Sequence, residues 1–186
     1  CIPFGKPARS GTWEPANGRE LFSLLRHKLP ALRIIAEDLG YITQEVFSLR
    51  REFGYTGMRI LQHGFNPYTP NEHTPHHYDP ETILYFGIHD NDPFSAWLSR
   101  LNPEEKNYFF DYFNIERDTP PHELPLQLIK AMAASIADTV IYQTQDILFL
   151  GEQARINAPG KASGNWEFRL TEEQFKRLTC TAETLA

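Results

Sequence analysis

The sequence predicts an α/β fold with a parallel sheet, about four buried strands with flanking helices, half of what a closed (β/α)8 barrel needs. Three observations lead there. Short, near-continuous apolar runs at residues 32–36, 57–62, 82–88 and 139–143 read as strands buried on both faces. Between them lie segments whose apolar residues recur at helical spacing, and that alternation specifies a parallel sheet. Polar residues then gather just past the C-terminal end of each run: Glu37 and Asp38, His63, His89 to Asp92, and Gln143 to Asp146. In barrels and open sheets alike that end carries the site.

The elements follow in order. The first 20 residues, rich in Gly, Pro and polar side chains, read as a loop. Residues 21–29 form a short helix, with Leu21, Leu24, Leu25 and Leu29 at helical spacing, and Pro30 stops it. After the first strand, Thr43 is placed to cap a helix that Val46, Leu49 and Phe53 stripe and Gly54 ends. Two strands follow, separated by a long loop. Asp92-Pro93 then reads as a helix start with Asp92 as its cap, and Phe94, Trp97, Leu98 and Leu101 make the apolar face. A helix over 125–137 carries Ile129, Met132 and Ile136 and feeds the fourth strand. Thr171 and Gln174 match a capping box that opens the last helix.

Composition narrows the function. A net charge of -6 without any basic stripe argues against nucleic acid or an anionic membrane as partner. The apolar runs are far shorter than the roughly 20 residues a membrane span needs. Two cysteines, Cys1 and Cys180, make a disulfide framework unexpected and favour a reducing compartment. A first residue of Cys, not Met, is what a segment of a longer chain would show. Aromatics reach 13%, which implies a Phe-rich core, with stacking platforms for sugar rings as the alternative use.

Four clusters can carry chemistry. In Ile34-Ile35-Ala36-Glu37-Asp38-Leu39-Gly40, a carboxylate leaves the end of an apolar strand. Such a place raises its pKa and suits a general acid, whereas Asp38 reads as a turn or cap residue. In Phe86-Gly87-Ile88-His89-Asp90-Asn91-Asp92, capping accounts for Asp92 but not for His89 and Asp90. Side by side, those two can grip vicinal sugar hydroxyls, since a carboxylate accepts two O–H donors and a histidine donates one N–H. A metal site there lacks the usual ligand spacing. The loop at residues 66–80 holds His73, His76, His77 and Asp79, without the motifs of a zinc site, and reads as a solvated loop bordering a site. Last, Arg155 and Asn157 lie between turns rich in Gly, Asn and Pro; these suit a substrate-lining loop, or plain turns closed by Trp166 and Phe168.

Taken together, these segments resemble the amylomaltase family, the 4-α-glucanotransferases also called disproportionating enzymes. The resemblance runs in order through Gly11-Thr12-Trp13, Glu20-Leu21-Phe22, the Ile34 to Gly40 stretch and Gly57-Met58-Arg59-Ile60-Leu61-Gln62. It continues through His89-Asp90-Asn91-Asp92, Gln145-Asp146-Ile147-Leu148, the Ala154 to Gly160 stretch and Gly164-Asn165-Trp166-Glu167-Phe168-Arg169. It implies that residues 1–186 are one segment, the C-terminal half of a (β/α)8 (TIM-type) catalytic barrel, working on maltooligosaccharides or α-1,4-glucan in the cytoplasm. It also implies a retaining mechanism with two carboxylates roughly 5 Å apart. In that pattern Glu37 is the acid/base, and Asp90 is the further acidic residue that holds ring hydroxyls. His89 stands beside it, and Asn157 and Arg155 line the donor side. No metal and no cofactor is implied.

Three departures accompany the resemblance. The family's nucleophile, an aspartate in an Arg-Ile-Asp-His type context, has no counterpart here, so the chain alone is expected to be inactive and to need the barrel's N-terminal half. Ile88 and Pro93 stand where Thr is usual, and His63 stands where Phe is usual. Two other readings stay open: an α-glucan hydrolase on the same barrel, and a non-catalytic glucan-binding module.

Overall fold

The computed structural model describes residues 1–185 other than Tyr41 and Pro70. The chain divides into two compact units, Cys1–Tyr55 and Thr56–Ala186.

Among its described residues the first unit holds two α-helices, α1 (Gly18–Lys28) and α2 (Gln44–Phe53). They are joined by an aromatic cluster in which Phe22 meets Phe53 and Tyr55 at ring-centroid distances of 5.5 and 5.1 Å. The Arg26 guanidinium lies 4.7 Å from the Phe53 ring centre, a cation–π contact. Gly54 ends α2 as its pattern predicts, at φ 66°, where a side chain would be strained. Thr43 occupies the N-cap position, but its side chain makes no capping bond.

The strand expected at residues 32–36 is not formed; a single bridge at Ile35 is all that the segment shows. Leu32 and Ile35 are exposed. An apolar run records that a segment seeks cover, whereas a strand also requires neighbours for its ladder, and pattern alone does not supply them.

The second unit contains a parallel sheet of three strands in sequential order: β1 (Gly57–Ile60), β2 (Thr82–Tyr85) and β3 (Thr139–Ile141). Gly57 lies opposite Thr82, and Ile83 opposite Thr139. All three strands begin where the apolar runs begin and end sooner. Past β1 the chain tightens into a 3-10 turn, Leu61–Gly64, and past β2 it peels away at Phe86, although the Phe86 carbonyl still accepts from Gln62 N–H at 3.0 Å.

Helices α3 (Phe94–Arg100), α4 (Pro103–Tyr112) and α5 (Leu124–Ala133) cover the sheet's core. Helix α4 is the element that strand-and-helix periodicity leaves out. It opens with a capping box, in which Asn102 accepts from Glu104 and Glu105 N–H while Glu105 accepts from Asn102 N–H. The expected Phe-rich core is present. Phe86 packs on Phe94 at 4.9 Å and 72°, and Phe65 on Phe109 at 5.0 Å and 81°, edge-to-face geometries that aromatic quadrupoles favour. Ile136, expected on the face of α5, is exposed beyond the end of that helix. The short α6 (Thr144–Ile147) follows β3, and α7 (Glu172–Leu185) closes the chain with the expected Thr171–Gln174 capping box.

No helix among the described residues is long and apolar enough to cross a membrane.

Candidate functional site

In the second unit the polar residues that follow β1, β2 and β3 meet at the C-terminal edge of the sheet. Gly87 makes the approach possible: a Cβ there would stand 2.7 Å from Gln62 Nε2. Through that gap Gln62 Nε2 donates to the Asp92 carbonyl at 2.6 Å, and Gln143 Nε2 donates to the Gly87 carbonyl at 3.0 Å. Two amides from neighbouring strand ends therefore pin the segment carrying His89 and Asp90.

The opposite side of that segment is held by the loop after α6. Asn157 N–H donates to the His89 carbonyl at 3.1 Å, and Asn157 Nδ2 donates to Asp90 Oδ1 at 2.5 Å. Arg155 is a clamp. Its Nη2 donates to the Asp90 carbonyl at 2.5 Å, its Nη1 meets Asp92 Oδ1 at 2.6 Å, and its Nε donates to the Asn157 carbonyl at 2.8 Å. Its guanidinium thus orders the protein around Asp90. Arg100 also pairs with Asp92 and reaches Glu152 at 2.8 Å.

Asp92 is therefore no helix cap. The N-cap position of α3 is Pro93, and the carboxylate of Asp92 faces two arginines. The acceptor for Phe94 N–H is Asp146 Oδ1, at 2.7 Å, from 52 positions further along the chain. Asp146 is buried, its Oδ2 has no hydrogen-bond partner among the described residues, and desolvation pushes its pKa up to about 7 against the opposing effect of the Phe94 bond. The sequence offers Asp146 only as part of a motif. Its capping role depends on contacts that no local pattern encodes.

His89 and Asp90 are both half-exposed, with His89 Nε2 3.4 Å from Asp90 Oδ1. Beside them the Trp166 ring lies 4.9 Å from the His89 ring, tilted by 38°. Trp166 sits in the left-handed region at φ 63°, fixed by its N–H donating to the Ile156 carbonyl at 2.7 Å, and its side chain stays 60% exposed. Trp166 thus presents a large aromatic side chain to solvent beside His89.

The histidines of the 66–80 loop act as pins. His73 Nδ1 accepts from Ile60 N–H at 3.1 Å, His76 Nδ1 contacts the Tyr112 hydroxyl at 2.8 Å, and the Tyr78 hydroxyl donates to the His73 carbonyl at 2.7 Å. The loop is thus stitched to the unit, more than a purely solvated loop would be. Among the described residues no group of three or more His, Cys, Asp or Glu is placed to hold a metal ion.

In the first unit Glu37 is exposed, while its neighbour Asp38 is buried. Asp38 is more than a turn residue. Its Oδ2 lies 3.3 Å from Arg50 Nε of α2 in a buried ion pair. The two adjacent carboxylates therefore have opposite surroundings, one committed to the interior and one open.

The family model described as 4-alpha-glucanotransferase (Glyco_hydro_77) matches residues 1–175. The chain is 38% identical over 181 residues to "4-alpha-glucanotransferase DPE1, chloroplastic/amyloplastic" of Arabidopsis thaliana, covering 97% of this chain and 31% of that protein. It is 37% identical over 194 residues to the 4-alpha-glucanotransferase of Thermus thermophilus, covering 98% of this chain and 38% of that one. Its fold matches the amylomaltase from Streptococcus agalactiae, solved in complex with acarbose, at a TM-score of 0.86 and 34% identity, over 96% of this chain and 36% of that one. The chain thus spans about a third of the length of these relatives. With nearly its whole length matched, and its strand-end residues ordered as described, the chain belongs to the 4-α-glucanotransferase family.

Proposed function

We propose that the full-length protein transfers α-1,4-glucan segments between maltooligosaccharides by a retaining double displacement, and that this chain supplies the C-terminal part of its (β/α)8 barrel. The observation that carries the reading is the Asp90 cluster, a half-exposed carboxylate fixed by Asn157 between His89 and the far end of a parallel strand. Sequential, all-parallel strand order is what a singly wound barrel requires.

In this reading Glu37, as the acid, gives its proton to the bridging glucosidic oxygen while a carboxylate outside this chain attacks the anomeric carbon. The bond to the leaving glucan breaks, and a glycosyl-enzyme forms. Glu37, now a carboxylate, takes the proton of an acceptor's 4-hydroxyl, whose oxygen displaces the enzyme carboxylate. Asp90 accepts ring hydroxyls and His89 donates to one, which favours the flattened oxocarbenium-like transition state. Asn157 holds Asp90 for that task and Arg155 holds the segment beneath. The relative solved with acarbose supports a sugar-binding role for this edge, with Trp166 as a platform for a sugar face. The reading needs no metal or cofactor, and it predicts that this chain alone is inactive without the barrel's N-terminal half.

Incubating the full-length protein with maltotriose tests the proposal. Longer oligosaccharides are expected; glucose and maltose alone would assign a hydrolase, and no turnover a non-catalytic glucan-binding module. Glu37→Gln should abolish turnover while glucan binding survives, and Asp90→Ala should lower transfer by several orders of magnitude with the fold intact. The scarcity of cysteine, with only Cys1 and Cys180 and both exposed, suits a reducing compartment such as the cytoplasm; the plant relative is named chloroplastic, and cell fractionation decides the matter.

A further inference from the structure

We propose that His63 is a positioning residue: its imidazole accepts a hydrogen bond from Asn91 and so orients the turn that presents His89 and Asp90. The proposal rests on the glucan-transfer reading for its catalytic consequence and on geometry for the bond itself.

The side-chain amide of Asn91 makes two contacts. Its Oδ1 accepts from Ile88 N–H at 2.9 Å, and its Nδ2 lies 3.2 Å from His63 Nε2. The first contact settles the second. A backbone N–H can only donate, so the amide oxygen must face Ile88 and the NH2 must face His63. An amide nitrogen has no lone pair to offer, so His63 Nε2 must accept. The ring is then neutral, with its proton on Nδ1.

The surroundings favour that form. His63 keeps an exposed edge, yet partial withdrawal from water lowers its pKa below the usual histidine value. The titratable group that faces it is His73 of the 66–80 loop, ring on edge at 5.2 Å and 88°, with Nδ1 accepting from Ile60 N–H. Adjacent Gln62 grips the Asp92 carbonyl, so consecutive side chains at the end of β1 hold consecutive residues of the turn. Gln62 does not titrate and His63 does. Protonation would make Nε2 a donor facing the Asn91 NH2, and the contact would turn repulsive. The sign follows: with the pKa lowered, the bond is complete above the ordinary histidine range and is lost as pH falls through the lowered value. A phenylalanine, usual at this place in the family resemblance, offers no acceptor at any pH.

The experiment compares wild type, His63→Phe and His63→Gln in the full-length protein, measuring glucan transfer from maltotriose between pH 5 and 8. His63→Phe should lower kcat at pH 7.5 by about 3- to 10-fold, the range of one ordinary hydrogen bond, with KM within about 2-fold. It should also lack the fall that wild type shows on the acid side of the ordinary histidine range. His63→Gln, whose amide oxygen can accept from Asn91 without titrating, should recover most of the loss and also lack that fall. Superimposable pH profiles for wild type and His63→Phe would overturn the proposal, as would failure of Gln to rescue. Nitrogen-15 spectra of labelled His63 at pH 7.5 give a second readout independent of activity: the Nδ1–H tautomer is expected, and an Nε2–H tautomer overturns the bond. If wild type shows no transfer at any pH, the function reading fails, and the nitrogen spectra still decide the His63–Asn91 bond.

Discussion

Among the described residues of the first unit, Phe53 is the one buried large apolar side chain, while Trp13, Leu21, Leu24, Leu29, Leu32, Ile35 and Val46 are exposed. The second unit buries Phe65, Phe86, Phe94, Phe109, Phe110, Leu128 and Met132 in one cluster. The first unit's helices are the more sharply amphipathic, yet they bury less than those of the second, so apolar spacing by itself does not say whether a face finds cover. In the second unit the cover comes from elements within the same 131 residues, and Gln62, Gln143, Asn157 and Arg155 of that unit hold the strand-end segment around Asp90. In the first unit a small aromatic cluster and polar pairs do the holding, and Glu37, the residue proposed for proton transfer, stands exposed.

Phe109 is fully buried and touches Phe65, Phe94 and Trp97 with ring-centroid distances of 5.0, 6.0 and 5.3 Å. Phe109→Ala should cost about 3–5 kcal/mol in denaturant unfolding of the full-length protein. A loss under about 1 kcal/mol would mean that the aromatic cluster is not what holds the second unit.

The first unit's counterpart is polar. Arg50 and Asp38 lie 3.3 Å apart with side chains only 12% and 2% exposed. Arg50→Met keeps most of the volume and removes the cation beside a buried carboxylate. It should cost about 3 kcal/mol, since breaking one side of a buried pair leaves the other charge in a poor medium. Replacing both, with Asp38→Leu added, should return most of that loss, because two apolar groups of similar size need no pairing. If the double variant is no better than the single, Asp38 has a task beyond this pair.

What the sequence makes legible follows the same division. Some signals that act within one turn of chain hold, namely Gly54 as a left-handed cap and the Thr171–Gln174 box, whereas Thr43 takes its N-cap position without the capping bond. The Asn102-Pro103-Glu104-Glu105 box that opens α4 is just as local, yet a reading organised around apolar stripes passes over it, because this helix is apolar on a broad and irregular face. Features that need distant partners do not follow from pattern. Residues 32–36 have the composition of a strand without its ladder, and Asp92, a plausible cap by position, is claimed by Arg100 and Arg155 while Asp146 takes the cap. At the candidate site the residue types at positions 89, 90 and 157 are readable, whereas Arg155 as clamp, Gln62 as pin and His63 as acceptor are visible only in three dimensions.

Asp146 gives the comparison a pH axis. Its carboxyl, raised to about 7 by burial, binds a proton in the folded protein at pH values where the unfolded chain has already released it. Stability should therefore fall as pH rises from about 4 to above 7. Asp146→Asn keeps an oxygen for Phe94 N–H and cannot ionise. It should stabilise the protein by about 1–3 kcal/mol at pH 8, with part of the gain offset by an unpaired NH2, and the difference should shrink to about zero at pH 4. A gain that is the same at both pH values would show that the carboxyl is not what titrates.

The smallest effect sets the lower limit of the contrast. Arg19 reaches Glu52 through Nε and Nη2, at 2.9 and 2.8 Å, in a forked geometry that joins α1 to α2. The bond lowers the Glu52 pKa and raises that of Arg19. Both side chains nevertheless stand in water, 72% and 43% exposed, where solvent screens the pair and the entropy of holding two long chains offsets the attraction. Arg19→Ala should leave the unfolding midpoint unchanged within error at 0.15 M salt, while Arg50→Met on the next helix lowers it clearly. A marked fall for Arg19→Ala would mean that in the full-length protein this pair lies shielded from water, and that the first unit's surface has found the cover its apolar residues call for.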